Sequence, residues 1–182
     1  MLELFITDLA AYNAGYLIGE WVSLPLDRAK LTYKIREILV EGQLKCKDTQ
    51  QHQEIITTDF AWTEGTSLFT VDEYADVFAL NDIVEELSSL DDHELLQVKF
   101  LIYEGYDIRY SVDHHEYVTI FDYRNSTSFK DVYELLAEDL VDEGCFGMIP
   151  DALVHYLDYS KIGRYLSYDY TEFEHGLLGR AS

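Results

Sequence analysis

Apolar positions recur along the chain with two periods, and each change of period marks an element. "LELFITDL" (2–9) alternates as a strand does, "AAYNAG" (10–15) supplies a turn, and "YLIGEWVSL" (16–24) reads as a hairpin partner that Pro25 ends. From Asp27, Leu31, Ile35, Ile38 and Leu39 fall at helical spacing, with Gly42 as a natural stop. "QEIITTDFAW" (53–62) resembles a third strand, and the stretch 43–54 is polar and undetermined. These elements predict a small α+β domain over 1–69.

At Thr70 the period changes to helical. "TVDE" has the form of a capping box, with Thr70 as the cap and Glu73 reaching back. Val71, Tyr74, Ala75 and Phe78 share one face, and Ile83, Val84, Leu87 and Leu90 share another after a break near Asn81. Asp91 and Glu94 form a second capping box before "LLQVKFLIYEG". Three short helices over 70–104 are expected to make a middle domain.

Beyond Gly105, "YDIRYSV" and "EYVTIFDY" read as a hairpin turning around Asp113–Glu116. A capped helix is expected from Ser128 to the Gly144 stop, with Val132, Leu135, Leu136 and Leu140 inward. Pro150 suits the start of "PDALVHYL", a second short helix covers "YSKIGRYL", and "YDYTEFE" closes a sheet. Residues 105–182 are thus a second α+β domain, and the fold class is α+β: a small sheet with a helix, a short helical module, and a second unit of sheet and helices.

Charge changes the picture more than composition does. The 182 residues hold 35 Asp+Glu against 13 Lys+Arg, a formal net charge of −22, where a small soluble domain typically lies within about 2–8 charges of neutrality. With 15 Tyr, 9 Phe and 2 Trp the chain has ample apolar surface for a core. Such a field repels nucleic acid and anionic membranes and attracts basic surfaces, so neither direct nucleic-acid binding nor membrane binding is expected. No run approaches a membrane span, and Glu3 and Asp8 interrupt the first apolar run, which does not read as a signal peptide. A cytoplasmic location follows as the default.

The charge is also unevenly placed. Asp48 to Val98 holds thirteen carboxylates in 51 residues and no Lys or Arg; Asp131 to Ser160 holds eight and again none. Like charges three or four apart on a helix cost about 0.2–0.5 kcal/mol per pair, and Asp72/Asp76, Asp82/Glu85, Asp82/Glu86, Glu134/Glu138 and Asp139/Glu143 are so spaced. The sequence accepts a local cost for a one-sided potential. Duplex DNA carries one charge per roughly 1.7 Å, so the net charge matches about 37 Å of duplex, and helical carboxylates three or four apart repeat every ~5–6 Å. Charge alone leaves two readings open, a solvated acidic face and a surface that imitates DNA; in the second, the carboxylates that stand in for phosphates are Asp72, Glu73, Asp76, Asp82, Glu85, Glu86, Asp91, Asp92 and Glu94 in the first stretch, and Glu134, Glu138, Asp139, Asp142 and Glu143 in the second.

Other chemistry is poorly supported. "VDHHEY" (112–117) offers ligand types, but on a strand His114 and His115 face opposite ways and no third ligand is spaced to join them. Cys46 and Cys145 match no metal-ligand spacing and read as unpaired thiols. No glycine-rich phosphate loop and no calcium-loop pattern occurs. Neither a cofactor, a metal nor a catalytic residue is expected.

Three stretches, "DLAAYNAGYLIGEW" (8–21), "FTVDEYADVFALN" (69–81) and "GMIPDALVHYLDYSKIGRYL" (147–166), resemble the recurring blocks of the ArdA antirestriction family, in the family's order. The resemblance implies a non-enzymatic, elongated homodimer that mimics bent B-form DNA and occupies the DNA groove of the methyltransferase and specificity core of type I restriction-modification enzymes. It also implies a role near the dimer contact for Tyr156, Tyr159, Gly163 and Arg164. Ile162 and Tyr165 depart from the aromatic and the acid that the family usually shows beside that Gly-Arg pair. An acidic adaptor for another basic DNA-binding protein is the alternative function, and a carboxylate hydrolase a third.

Overall fold

A computed structural model describes residues 1–63 and 67–181; Glu64, one of the carboxylates of the first acidic stretch, lies outside them. The chain divides into two compact units, Met1–Leu90 and Asp91–Ser182. Both carry helices and a small antiparallel sheet, so the class is α+β.

In the first unit, strands β1 (Leu2–Asp8), β2 (Gly19–Leu24) and β3 (Ile55–Trp62) form an antiparallel sheet in the order β2-β1-β3. Leu2 pairs with Leu24 on one side and with Trp62 on the other. The alternation of β1 places Leu2, Leu4 and Ile6 on the inner face, fully buried. Helix α2 (Arg28–Cys46) covers that face with Leu31 and Ile38, and helix α3 (Val77–Leu87) adds Val77, Leu80 and Val84. Each such fully buried aliphatic side chain contributes about 1.5–3 kcal/mol relative to exposure.

Several local expectations change. The turn "AAYNAG" contains a short helix, α1 (Leu9–Asn13), because the Asp8 carboxylate accepts the Ala11 N–H and caps it. Gly42 does not stop α2, which runs on to Cys46 and ends where Lys47 takes a left-handed conformation, φ 58°. Thr70 caps nothing; Asp72 accepts the Tyr74 N–H, and Asp76 accepts the N–H groups of Phe78 and Ala79 to begin α3 seven residues later. Two carboxylates oriented at their own turns thus displace the hydroxyl. Asn81 does not break the helix either; it is buried within α3 and its Oδ1 accepts the Leu26 N–H at 2.7 Å.

In the second unit, helix α4 (Asp92–Tyr103) begins at the expected capping box of Asp91 and Glu94. The expected strand at 106–112 is instead helix α5 (Ile108–His114), capped by Asp107, followed by a single 3-10 turn at His115–Tyr117. Tyr106, Tyr110 and His114 stack along it at intervals of four residues, with Tyr110 and His114 centroids 4.0 Å apart. The "VDHHEY" segment is therefore a helix end and not a hairpin turn.

The second sheet comprises β4 (Val118–Asp122), β5 (Thr171–Glu174) and β6 (Leu177–Ala181), ordered β4-β6-β5 and antiparallel. The central strand β6 is covered on both faces. Leu177 joins Phe100 and Val118, whereas Leu178 joins Leu136, Leu140 and Leu166 of helices α6 (Val132–Asp142) and α8 (Tyr159–Leu166), a one-turn helix α7 (Asp151–Val154) intervening. At Gly179 a Cβ would lie 2.2 Å from the Phe100 ring, so that position must lack one. Among the described residues no helix is long and apolar enough to cross a membrane.

Candidate functional site

The candidate carboxylates lie on the outer sides of helices whose inner sides build the cores. In the first unit Asp82, Glu85 and Glu86 are exposed on α3, opposite the buried Ile83, Val84 and Leu87. Asp72, Glu73 and Asp76 precede α3 and are exposed as well. The backbone carbonyl of Glu73 accepts the Thr57 N–H at 2.9 Å, tying this acidic approach segment to β3.

In the second unit Asp91 and Asp92 are exposed and Glu94 is half-buried at the start of α4. On α6, Glu134 and Glu138 are half-buried, and Asp139, Asp142 and Glu143 are exposed at its end and beyond. The two units each carry an acidic helical surface made from the residues that the spacing singled out.

These carboxylates are not equivalent. Asp76, Asp91 and Glu94 accept backbone N–H groups at helix starts, where the helix dipole also favours an anion. Asp139 accepts the Tyr123 hydroxyl at 2.7 Å, and burial, then this carboxylate, pushes the Tyr123 phenol well above its ordinary pKa. Asp82 meets Arg28 at 3.4 Å, and Glu138 meets Lys130. By contrast the side chains of Glu85, Asp92 and Asp142 make no hydrogen bond or ion pair with other described residues and face solvent.

Four of the thirteen Lys and Arg are paired elsewhere. Lys34 pairs with Glu20, Lys99 with Glu174, Arg109 with Asp113 and Arg124 with Asp122, all outside the candidate set. With 35 carboxylates against 13 Lys and Arg, these pairs leave the acidic surfaces with a net negative charge. Such an arrangement can attract and hold a basic surface through many weak interactions.

The four residues of the last sequence block separate into two environments. Tyr156 is 84% exposed and Arg164 is exposed on α8. Tyr159 packs at the edge of the core around Leu136, Leu140 and Leu178, and Gly163 is buried where α8 meets α6; a Cβ there would lie 2.8 Å from the Tyr133 carbonyl. Gly163 thus has a packing role within its own unit. Around these positions Phe146, Met148, Leu153, Tyr165 and Tyr168 are all at least half exposed.

Two polar residues of the first two blocks also have structural duties that spacing alone did not reveal. Asp8 is fully buried under α2, and Asn81 serves the backbone after Pro25. Their signal was a polar residue embedded in an otherwise apolar period.

A family model described as "Antirestriction protein (ArdA)" matches residues 4–178. No significant match among curated proteins was found. With nearly its whole length covered by that match, the chain belongs to the ArdA antirestriction family.

Proposed function

We propose that this protein inhibits type I restriction-modification enzymes by presenting carboxylates where the phosphates of B-form DNA would lie. It acts by binding and not by turnover, and its target is the DNA groove of the methyltransferase and specificity complex. The reading is supported above all by the outward carboxylates on α3, α4 and α6, carried by a chain of net charge −22. Antirestriction membership supplies the class of target.

Affinity on this account comes from release of counterions from two highly charged surfaces. It is spread over Asp72, Glu73, Asp76, Asp82, Glu85, Glu86, Asp91, Asp92, Glu94, Glu134, Glu138, Asp139, Asp142 and Glu143, with the solvent-facing Glu85, Asp92 and Asp142 contributing charge alone. The working form is a cytoplasmic homodimer. The exposed apolar side chains between Phe146 and Tyr168 favour a contact in that region, with Tyr156 and Arg164 touching the partner subunit and Tyr159 and Gly163 positioning α8.

The deciding experiment titrates the protein into a purified type I methyltransferase holding labelled duplex. Stoichiometric displacement of the duplex is expected. A ternary complex that retains the duplex would favour an adaptor, and would overturn the mimicry.

A further inference from the structure

We propose that the Cys46 thiolate, the Asp48 carboxylate and the His52 imidazole form a binding site for a single thiophilic divalent cation of the zinc class. The three ligand atoms lie within 4.8 Å of one another. In a tetrahedral zinc site, bond lengths of ~2.0–2.3 Å place ligand atoms roughly 3.3–3.7 Å apart, so a contraction of about 1 Å closes the set. The His52 Nε2 already lies 3.0 Å from Asp48 Oδ2.

The sequence conceals the cluster because a backbone reversal creates it. Helix α2 ends at Cys46, Lys47 turns left-handed, and Asp48 comes back beside the thiol. The segment then carries His52 inward until only 6% of it is exposed. Cys-x-Asp-x-x-x-His is no familiar spacing, and only the fold shows that the three converge.

The surroundings are those of a built site. His52 Nδ1 is 2.6 Å from Asp8 Oδ2, leaving Nε2 directed at Asp48. A carboxylate behind a histidine in this way fixes the ring and makes its other nitrogen a better ligand. Asp8 is itself fixed, fully buried, with its Oδ1 accepting the Ala11 N–H at 3.0 Å. A polar cavity of about 440 Å³, lined by Asp48, His52, Asn13 and Glu54 among others, leaves room for water as a fourth ligand.

The chemistry of the three groups suits zinc. A bound divalent cation compensates the nearby carboxylates and takes the Cys46 thiolate as ligand with release of its proton. Sulfur, nitrogen and one oxygen together favour zinc or cobalt over magnesium or calcium. The ion would clasp the 47–52 loop to the end of α2 and, through His52, to Asp8 at the junction of β1 and α1.

Cobalt(II) titration of the full chain, freed of metal by chelation, tests the site through the thiolate-to-cobalt charge-transfer absorption. One equivalent per chain should produce the band, zinc should abolish it by displacement, and zinc should raise Tm. Cys46→Ser should lose the band and the zinc-dependent rise in Tm, Asp48→Asn should weaken cobalt binding at least 10-fold, and Cys145→Ser should change neither. Absence of a thiolate band in the folded wild-type protein, or a band that survives Cys46→Ser, would overturn the assignment. Circular dichroism of each variant without metal shows whether it remains folded.

Discussion

Asp8 lies against Gly42 so closely that a Cβ on the glycine would stand 1.9 Å from the carboxylate Oδ2 and 2.7 Å from Cγ. A glycine in the middle of α2 costs helix propensity of about 1 kcal/mol, and the approach of a buried, hydrogen-bonded carboxylate is what requires it. Gly42→Ala is therefore expected to destabilise the first unit, despite alanine's better propensity, by about 1–3 kcal/mol through overpacking. Urea denaturation of wild type and variant measures it, and an unchanged or raised midpoint would contradict the packing.

Asn81 offers a second stability test. Its Oδ1 is the acceptor for the Leu26 N–H beside Pro25, and it is buried among apolar neighbours. Asn81→Leu keeps the branched shape and removes the acceptor, so it should cost about 1–3 kcal/mol, the penalty of an unpaired N–H. The same denaturation experiment reads this loss.

On α8, packing and association can be separated. Gly163→Ala should lower Tm, because the added methyl meets the Tyr133 backbone. Tyr156→Ala removes a side chain that is 84% exposed, so stability should change by no more than about 0.5 kcal/mol. If Tyr156 belongs to the dimer contact, sedimentation equilibrium should nevertheless show weaker association for Tyr156→Ala.

Acid pH has a defined effect on the second unit. Arg124 beside Asp122 holds that carboxyl below its ordinary value, as Arg109 does for Asp113. A carboxyl whose pKa is lower in the folded state contributes stability above its unfolded value of about 3.9, and loses it as pH falls through the folded value. Arg124→Gln should thus be less stable than wild type above about pH 4, with the difference shrinking toward zero at lower pH. Comparing the two proteins at each pH cancels the relief of carboxylate repulsion they share.

The features legible in sequence were those fixed by short-range chemistry. Asp27 begins α2 and Asp91 with Glu94 begins α4, because a cap and its N–H groups are three residues apart. The acidic faces were legible too, since exposure follows from the position of the apolar stripe. Helix α5 was not: Tyr106, Ile108, Tyr110 and Val112 alternate like a strand, and the Asp107 cap with the Arg109–Asp113 pair four apart decides for helix. Strand β6 escaped because Leu177 and Leu178 face two different cores, which erases the period of two. The closeness of Cys46 and His52 was hidden for a third reason, the single left-handed residue Lys47 that joins their segments.

The central claim is that affinity is electrostatic and distributed. Its most direct measurement is the salt dependence of binding to a type I methyltransferase, for wild type, for Glu85→Gln, and for the triple variant Glu85→Gln, Asp92→Asn, Asp142→Asn. The slope of log K against log salt should be steeply negative, little altered by the single change and shallower by about two to three for the triple, near one per charge removed. Binding that is indifferent to salt, or that a single neutralisation abolishes, would contradict the account.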